Sequence, residues 1–331
     1  MIKLKRHKCI KVFEAFAGYG GASYGLRRSG INHKVIGFSE IEPSAIEIYE
    51  LNFPGIKNFG NISNIRDLYH LPNFDLFCGG FPCQPFSPIG KCQGIEDEHG
   101  RGTMFYEIIR ICEVKKPKYI LLENVSRLMR GKFKDTFQRI IAELNRIGYD
   151  VRYAVLNSNE YGIPQSRERL WIFAYLGELP LTFNLKPDII SPCPSLSSFL
   201  DKYPSEDLYR TQKQITRLKE VHNVQSFYVE RPTCFDIYNH SFRKDDCCMT
   251  ITPPEHNVVR IVEPPVNGIE RVRKLSIDEH FRLMGFKINE NEREIKYPTP
   301  INYRKLGERA GNGWDINLVG ILLNHIFAQL L

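Results

Sequence analysis

Cys9-Ile10-Lys11-Val12-Phe13-Glu14 is a short apolar and β-branched run, and beyond Ala15 the chain reads Phe16-Ala17-Gly18-Tyr19-Gly20-Gly21 before a helical stretch over 22–29. Strand, glycine-rich turn and helix in that order are the opening unit of an α/β fold. The turn lets a ligand approach the backbone at the carboxyl edge of a sheet. A dinucleotide fingerprint wants a third glycine at position 23, where Ser23 stands, which counts against a nicotinamide cofactor. Glu40 ends the next predicted strand, about 20 residues on, and suits a carboxylate that accepts hydrogen bonds from both hydroxyls of a ribose. An adenosine without a pyrophosphate fits this pair best.

The same alternation continues outward. Predicted strands at 34–39, 74–78, 119–122, 151–156 and 170–174 are interleaved with helices at 43–52, 104–115 and 134–147, the last with Phe137, Ile140, Ile141 and Leu144 on one face. That pattern builds a mostly parallel sheet covered by helices. From about Leu176 it stops, and Pro, Ser and Thr with scattered aromatics and charges mark a second module. A closing helix over 316–330 is apolar almost all round and is expected to pack against the sheet. The expected division is a discontinuous large domain, 1–188 plus 300–331, and a small domain, 189–299.

With 331 residues and 42% hydrophobic content the chain can bury a large core. A formal charge of +7 favours a polyanionic partner. The nine cysteines form no CxxC pair or zinc-ligand spacing, so free thiols, a reducing compartment and no metal are expected. Lys11 and Glu14 interrupt any signal-like apolar stretch, and no run approaches the roughly 18 to 20 apolar residues of a membrane span. A cytoplasmic protein without membrane contact is the expectation.

Three further stretches carry chemistry. In Cys78-Gly79-Gly80-Phe81-Pro82-Cys83-Gln84-Pro85-Phe86-Ser87, glycines and prolines turn and then stiffen the backbone around Cys83, which is how a nucleophile is held at a fixed angle. A free thiol, with a pKa of about 8.5, needs activation of the kind arginines supply. Glu123-Asn124-Val125 follows the predicted strand 119–122, so Glu123 is expected to begin a loop as an acid or hydrogen-bond partner for a bound base. Gln165-Ser166-Arg167-Glu168-Arg169 alternates by two into a strand, which predicts Gln165, Arg167 and Arg169 on one face with the guanidiniums side by side. Read alone, a tight turn, a strand-end acid and a charged edge are the plain alternatives.

In order and spacing these strings resemble the cytosine-5 DNA methyltransferase family. FAGYGG resembles its cofactor loop and GGFPCQPFS its catalytic loop. RGTMF (101–105) and ENV (123–125) resemble the next two motifs, QSRER (165–169) its arginine motif, RKLSIDEHFRLMGF (273–286) its late helix and AGNGW (310–314) its last cofactor motif. Departures are Asn61, where an Asp is usual, Ile41 in place of an aromatic seen in some relatives, and Gly313-Trp314 in a motif more often GNSV.

The resemblance implies a Rossmann-like S-adenosylmethionine-dependent domain with a target-recognition segment at about 185–246. It implies a cofactor site of Phe16, Ala17, Gly18, Tyr19, Gly20, Gly21, Glu40, Ile41, Asn61, Ile62, Pro82, Asn312 and Trp314. Catalysis would fall to Cys83, Glu123, Arg167 and Arg169, with Arg167 supporting Glu123 or the loop. Gln84, Ser87, Lys91, Gln165, Arg210, Arg217, Arg231, Arg243 and Thr250 would meet double-stranded DNA, with 81–101 as a lid. It also implies a nucleoid-associated monomer that is either the modification enzyme of a restriction-modification system, with a separate endonuclease, or an orphan methylase. An RNA-directed relative would share the catalytic residues, but its typical Cys-Phe-Thr element is not evident; a catalytically dead binding member is opposed by the intact Cys83, Glu123, Arg167 and Arg169.

Overall fold

The computed structural model describes residues 9–82, 104–190, 192–253 and 259–331. Its strands are β1 (Ile10–Ala15), β2 (His33–Ser39), β3 (Leu76–Gly80), β4 (Tyr119–Val125), β5 (Tyr149–Asn157), β6 (Gln165–Ser166), β7 (Glu168–Leu176), β8 (Thr233–Asp236), β9 (Ser241–Phe242), β10 (Cys248–Met249), β11 (Val259–Val266) and β12 (Ile269–Arg273). Its helices are α1 (Gly21–Ser29), α2 (Pro43–Asn52), α3 (Met104–Lys115), α4 (Lys134–Arg146), α5 (Gln212–His222), α6 (Ile277–Arg282), α7 (Tyr303–Asn312) and α8 (Ile316–Leu330). The chain separates into two compact units. One is Met1–Leu156, Glu168–Asp188 and Val319–Leu331; the other is Asn157–Arg167 and Ile189–Leu318.

The first unit is built on a sheet of order β2-β1-β3-β4-β7-β5. β1 pairs in parallel with β2 and β3, and β3 with β4, whereas β7 runs antiparallel to β4. Strand order reverses at β1, and the crevice beyond the carboxyl ends at such a point is where open α/β sheets bind ligands. Both faces are buried, which is why the strands read as continuous apolar runs. Phe13, Phe77, Ile120, Leu122 and Ile172 pack with Ile108 and Ile111 of α3 and Phe137 and Leu144 of α4. On the other face Tyr119 stacks on Phe173 and meets Phe327 of α8 edge-on at 4.9 Å. Burying side chains of this size stabilises by about 1.5–3 kcal/mol each. α1 and α8 approach so closely that a Cβ on Gly25 would lie 2.3 Å from Val319 Cγ1, and one on Gly320 2.8 Å from Arg28 Cβ.

Two local expectations change here. β4 continues to Val125, because β7 keeps pairing with it through Glu123↔Trp171, Asn124↔Leu170 and Val125↔Arg169, so Glu123 lies in the strand and does not open a loop. The stretch 165–169 is not one strand: β6 pairs with β10, and the chain breaks at Arg167 before β7 begins.

The second unit holds an antiparallel sheet of order β12-β11-β8-β9. One apolar cluster joins Phe235, Val262 and Val272 to Ile215 of α5, and another joins Cys234, Cys248, Ile261 and Leu283. α5 and α6 each start with a capping box, Thr211 with Gln214 and Ser276 with Glu279. Residues 157–167 and 300–318 group with this unit, where the sequence placed them in the large domain. The reason is side-chain bonding by Gln165 and Arg167 to second-unit backbone, described below. Among the described residues no helix is long and apolar enough to cross a membrane, and no group of three metal-ligating side chains occurs.

Candidate active site

The glycine-rich turn closes over the end of β1. Phe16 (φ 53) and Gly18 (φ 56) lie in the left-handed region, as does Gly20 (φ 93), where a Cβ would come 2.7 Å from the Phe53 ring. Gly18 has nothing within 4 Å of where a Cβ would stand, so the backbone there is open to a ligand. Ala17 and Tyr19 are buried, and Gly21 opens α1. Glu40 braces the turn: Gly18 N donates to Oε2 (2.9 Å), and Ile41 N and Glu42 N donate to Oε1 (2.8 and 2.9 Å). An ionised carboxylate offers about four acceptor positions, so Glu40 keeps capacity for a hydroxyl. Ile41 is 65% exposed beside it, an apolar surface suited to covering a base. Asn61 accepts from Ser63 N (2.9 Å) and caps a short turn, and Ile62 is buried beneath it. This donor set fits an adenosine-bearing ligand.

Sequence reasoning missed what lies under the turn. Glu14 is buried and accepts from Ala22 N (2.9 Å), Ser23 Oγ (2.6 Å) and Tyr49 Oη (3.2 Å). Burial outweighs these bonds and raises its pKa to about 7. The available signal was a lone acid among the apolar residues Val12, Phe13 and Ala15 of β1. Ser23, which argued against a dinucleotide, is the hydroxyl that ties α1 to this carboxylate.

β3 runs beside β1, with Ala15 opposite Gly79, so the two loops leave the sheet as neighbours. Gly80 is registered with Glu123 of β4, and Phe81 and Pro82 lead on to Cys83. Asn124 Nδ2 donates to Phe81 O (3.3 Å), which fastens the start of that loop to β4. Cys83, Gln84, Ser87, Lys91 and most of the expected lid lie outside the described residues. Cys78, in β3, is buried, and burial holds its thiol well above the ordinary range, as befits a structural cysteine. Glu123 and Arg169 meet across β4 and β7, with Arg169 Nε 3.0 Å from Glu123 Oε1 and both side chains mostly shielded.

Arg167 and Arg169 have different partners. Arg169 works with Glu123 in the first unit. Arg167, in the second, donates to the carbonyls of Ile251 (3.2 Å), Gly311 (3.1 Å) and Gly313 (2.7 Å). It positions the segment 311–313, on which Asn312 is exposed and Trp314 follows buried. Gln165 is fully buried: its Nε2 donates to Leu283 O (2.6 Å), and its Oε1 accepts from Ile251 N (2.8 Å). Both ends of its amide are thus engaged in the interior of the second unit, where the sequence offered a contact with DNA. Thr250 Oγ1 donates to Ser166 O (2.7 Å). Arg231 is 3.3 Å from Asp246, and Arg243 is paired with Asp245. Arg217 is exposed on α5, and Arg210 lies beside β12.

A profile of the C-5 cytosine-specific DNA methylase family matches residues 10–327. The chain is 34% identical to the Type II methyltransferase M.HaeII of Haemophilus aegyptius, over 98% of this chain and 94% of that protein. It is 40% identical to the Type II methyltransferase M.MspI of a Moraxella species, over 97% of this chain and 71% of that one. In fold it is similar to the Entamoeba histolytica methyltransferase EhMeth, with a TM-score of 0.75, 21% identity and coverage of 98% of this chain and 99% of that one.

Proposed function

The chain belongs to the C-5 cytosine-specific DNA methylase family, and from that premise we propose that it methylates carbon 5 of a cytosine swung out of double-stranded DNA, through a covalent adduct with Cys83. The supporting observation is the register that sets Gly80, at the root of the Cys83 loop, beside Glu123, itself 3.0 Å from Arg169. Carbon 5 of cytosine is a poor nucleophile, and covalent addition elsewhere in the ring is the way to push electron density into it. The Cys83 thiolate adds to carbon 6, forming the S–C bond. Glu123 hydrogen-bonds or protonates N3, and Arg169 holds the O2 carbonyl as negative charge develops there. Carbon 5, now enamine-like, can take a methyl group. Loss of its proton and expulsion of the Cys83 thiolate restore the aromatic ring.

S-adenosylmethionine supplies an electrophilic sulfonium methyl group when bound, and leaves as S-adenosylhomocysteine. Glu40, Ile41, Asn61 and the turn 16–21 are the residues that would hold it, with Pro82, Asn312 and Trp314 completing the set. A base stacked in a duplex cannot reach a thiol, so the nucleotide must leave the stack at a cost of a few kcal/mol. The second unit reads the sequence. The protein acts as a monomer, as the modification half of a restriction-modification system with a separate endonuclease or as an orphan methylase, on nucleoid DNA in the cytoplasm. Incubation with duplex DNA and labelled S-adenosylmethionine, followed by mapping of 5-methylcytosine, tests this. Label recovered in protein or RNA and none in DNA would remove the proposal.

A further inference from the structure

Strand register in the second unit sorts its charges onto two faces. Ile261 pairs with Arg273 and Val262 with Val272, and Tyr209 bridges to Arg273. Arg210 N donates to Val272 O (2.8 Å) and Lys274 N to Leu208 O (3.1 Å), so the segment around Tyr209 extends the sheet beyond β12. Side chains alternate along a strand. Tyr209, Glu263, Arg271 and Arg273 therefore share one face, and Arg210, Arg260, Val272 and Lys274 the other.

The first face is matched in charge. Arg273 Nε donates to Glu263 Oε1 (2.6 Å) and its Nη1 to Glu279 Oε2 (2.7 Å), and Tyr209 Oη donates to Glu263 Oε2 (2.6 Å). On the second face the cations act on one another. Burial and then Arg210 pull Arg260 down to about 10, and burial, Arg210 and Arg260 lower Lys274. His222, 3.0 Å from His240, is lowered by burial, by His240 and by Arg260. Asp207 is the carboxylate that acts on Lys274 in the opposite sense. Arg210 Nε is buried and has no hydrogen-bond partner among the described residues. Partly buried like charges destabilise the free fold, and natural proteins retain such costs where activity needs them.

We propose that the half-buried Arg210 and Lys274, with the buried Arg260 adding its charge beside them, form a seat for a phosphate of the DNA backbone; this rests on the reading of the protein as a DNA methylase. Several cations on one face that act on one another suit a compact anion, whereas a guanine edge takes a single bidentate arginine. Such a contact fixes the protein's position on the duplex and carries no sequence information. Arg231 and Arg243, occupied by Asp246 and Asp245, take no part.

The test uses the full chain with Arg210→Gln and Lys274→Gln, binding a random-sequence duplex across a salt series. Each variant should lower the slope of log affinity against log salt by about 0.9, the value for one lost phosphate. Arg210→Lys should keep the slope, methylated positions mapped by bisulfite should not change, and free Lys274→Gln should melt no lower than wild type. An unchanged slope in both variants, a shift in the methylated sequence, or a clearly lower melting temperature for Lys274→Gln overturns the seat. If the wild type binds duplex but methylates none, the activity reading fails and the slopes still decide the seat. If it methylates and all slopes coincide, the seat alone fails.

Discussion

Glu14 and Glu40 close neighbouring strands and are put to opposite uses. Glu40 was legible, because a carboxylate at a strand end after a glycine-rich turn has a recognisable task. Glu14 was not, because its role exists only once the turn and α2 have folded over it. Glu40→Ala is expected to raise the S-adenosylmethionine dissociation constant through lost bonds to a charged acceptor, worth about 1.5–3 kcal/mol, as read by titration calorimetry; an unchanged constant reassigns Glu40 to bracing the turn alone. Cys83→Ser should abolish turnover and leave cofactor binding intact, and appreciable turnover would take Cys83 out of the chemistry. For Glu14, the folded value of about 7 lies above the ordinary 4.5. Between those values the folded state holds a proton that the unfolded chain has released, so stability from this group falls as pH rises through the window and is level above it. The whole effect is on the order of 3 kcal/mol. Glu14→Gln should therefore show a shallower loss of melting temperature from about pH 5 to 7 than wild type, and parallel profiles would contradict the assignment.

Several elements could be read directly, and the reasons are local. The predicted ranges 43–52, 104–115 and 316–330 coincide with α2, α3 and α8. Pro43 stands at the first turn of α2, and Asp315 caps α8 by accepting from Asn317 N and Leu318 N (2.9 and 3.2 Å). What failed was the stretch 165–169, where alternation predicted one strand. Arg167 N donates to Asn157 Oδ1 (2.8 Å) and its side chain serves three distant carbonyls, partners that a period of two cannot reveal. Glu123 was misplaced by a related omission, since strand length is set by the partner β7 as much as by the residues themselves. The contact between α1 and α8 carries a prediction of its own. Gly25→Ala forces a methyl into space held by Val319, and overpacking of this kind costs about 1–3 kcal/mol. Because α1 begins at the turn, cofactor affinity should weaken along with the melting temperature. Unaltered melting would mean the two helices part freely.

At the scale of the whole molecule, chemistry and reading are expected to separate. Alanine at Arg217, Arg231 or Arg243 should change which cytosines are methylated, by about 1–3 kcal/mol of discrimination where a base edge is lost, while the cofactor constant measured on the same proteins stays put. Bisulfite sequencing of a methylated library supplies the comparison, and unchanged preference in all three would mean that the reader lies elsewhere. The sequence exposed the frame because its motifs lie at strand ends; it said little about 189–318, where short strands and loops leave no period to follow. The first unit is also interrupted: it takes Val319–Leu331 from beyond the whole of the second. α8 covers Tyr119 and lies against α1, and Asn324 Nδ2 donates to Ser29 O (3.0 Å). Until those residues join it, Tyr119 and the surface of α1 that meets Val319 and Gly320 lack their cover, so the packing of the first unit is completed only by chain made after the second.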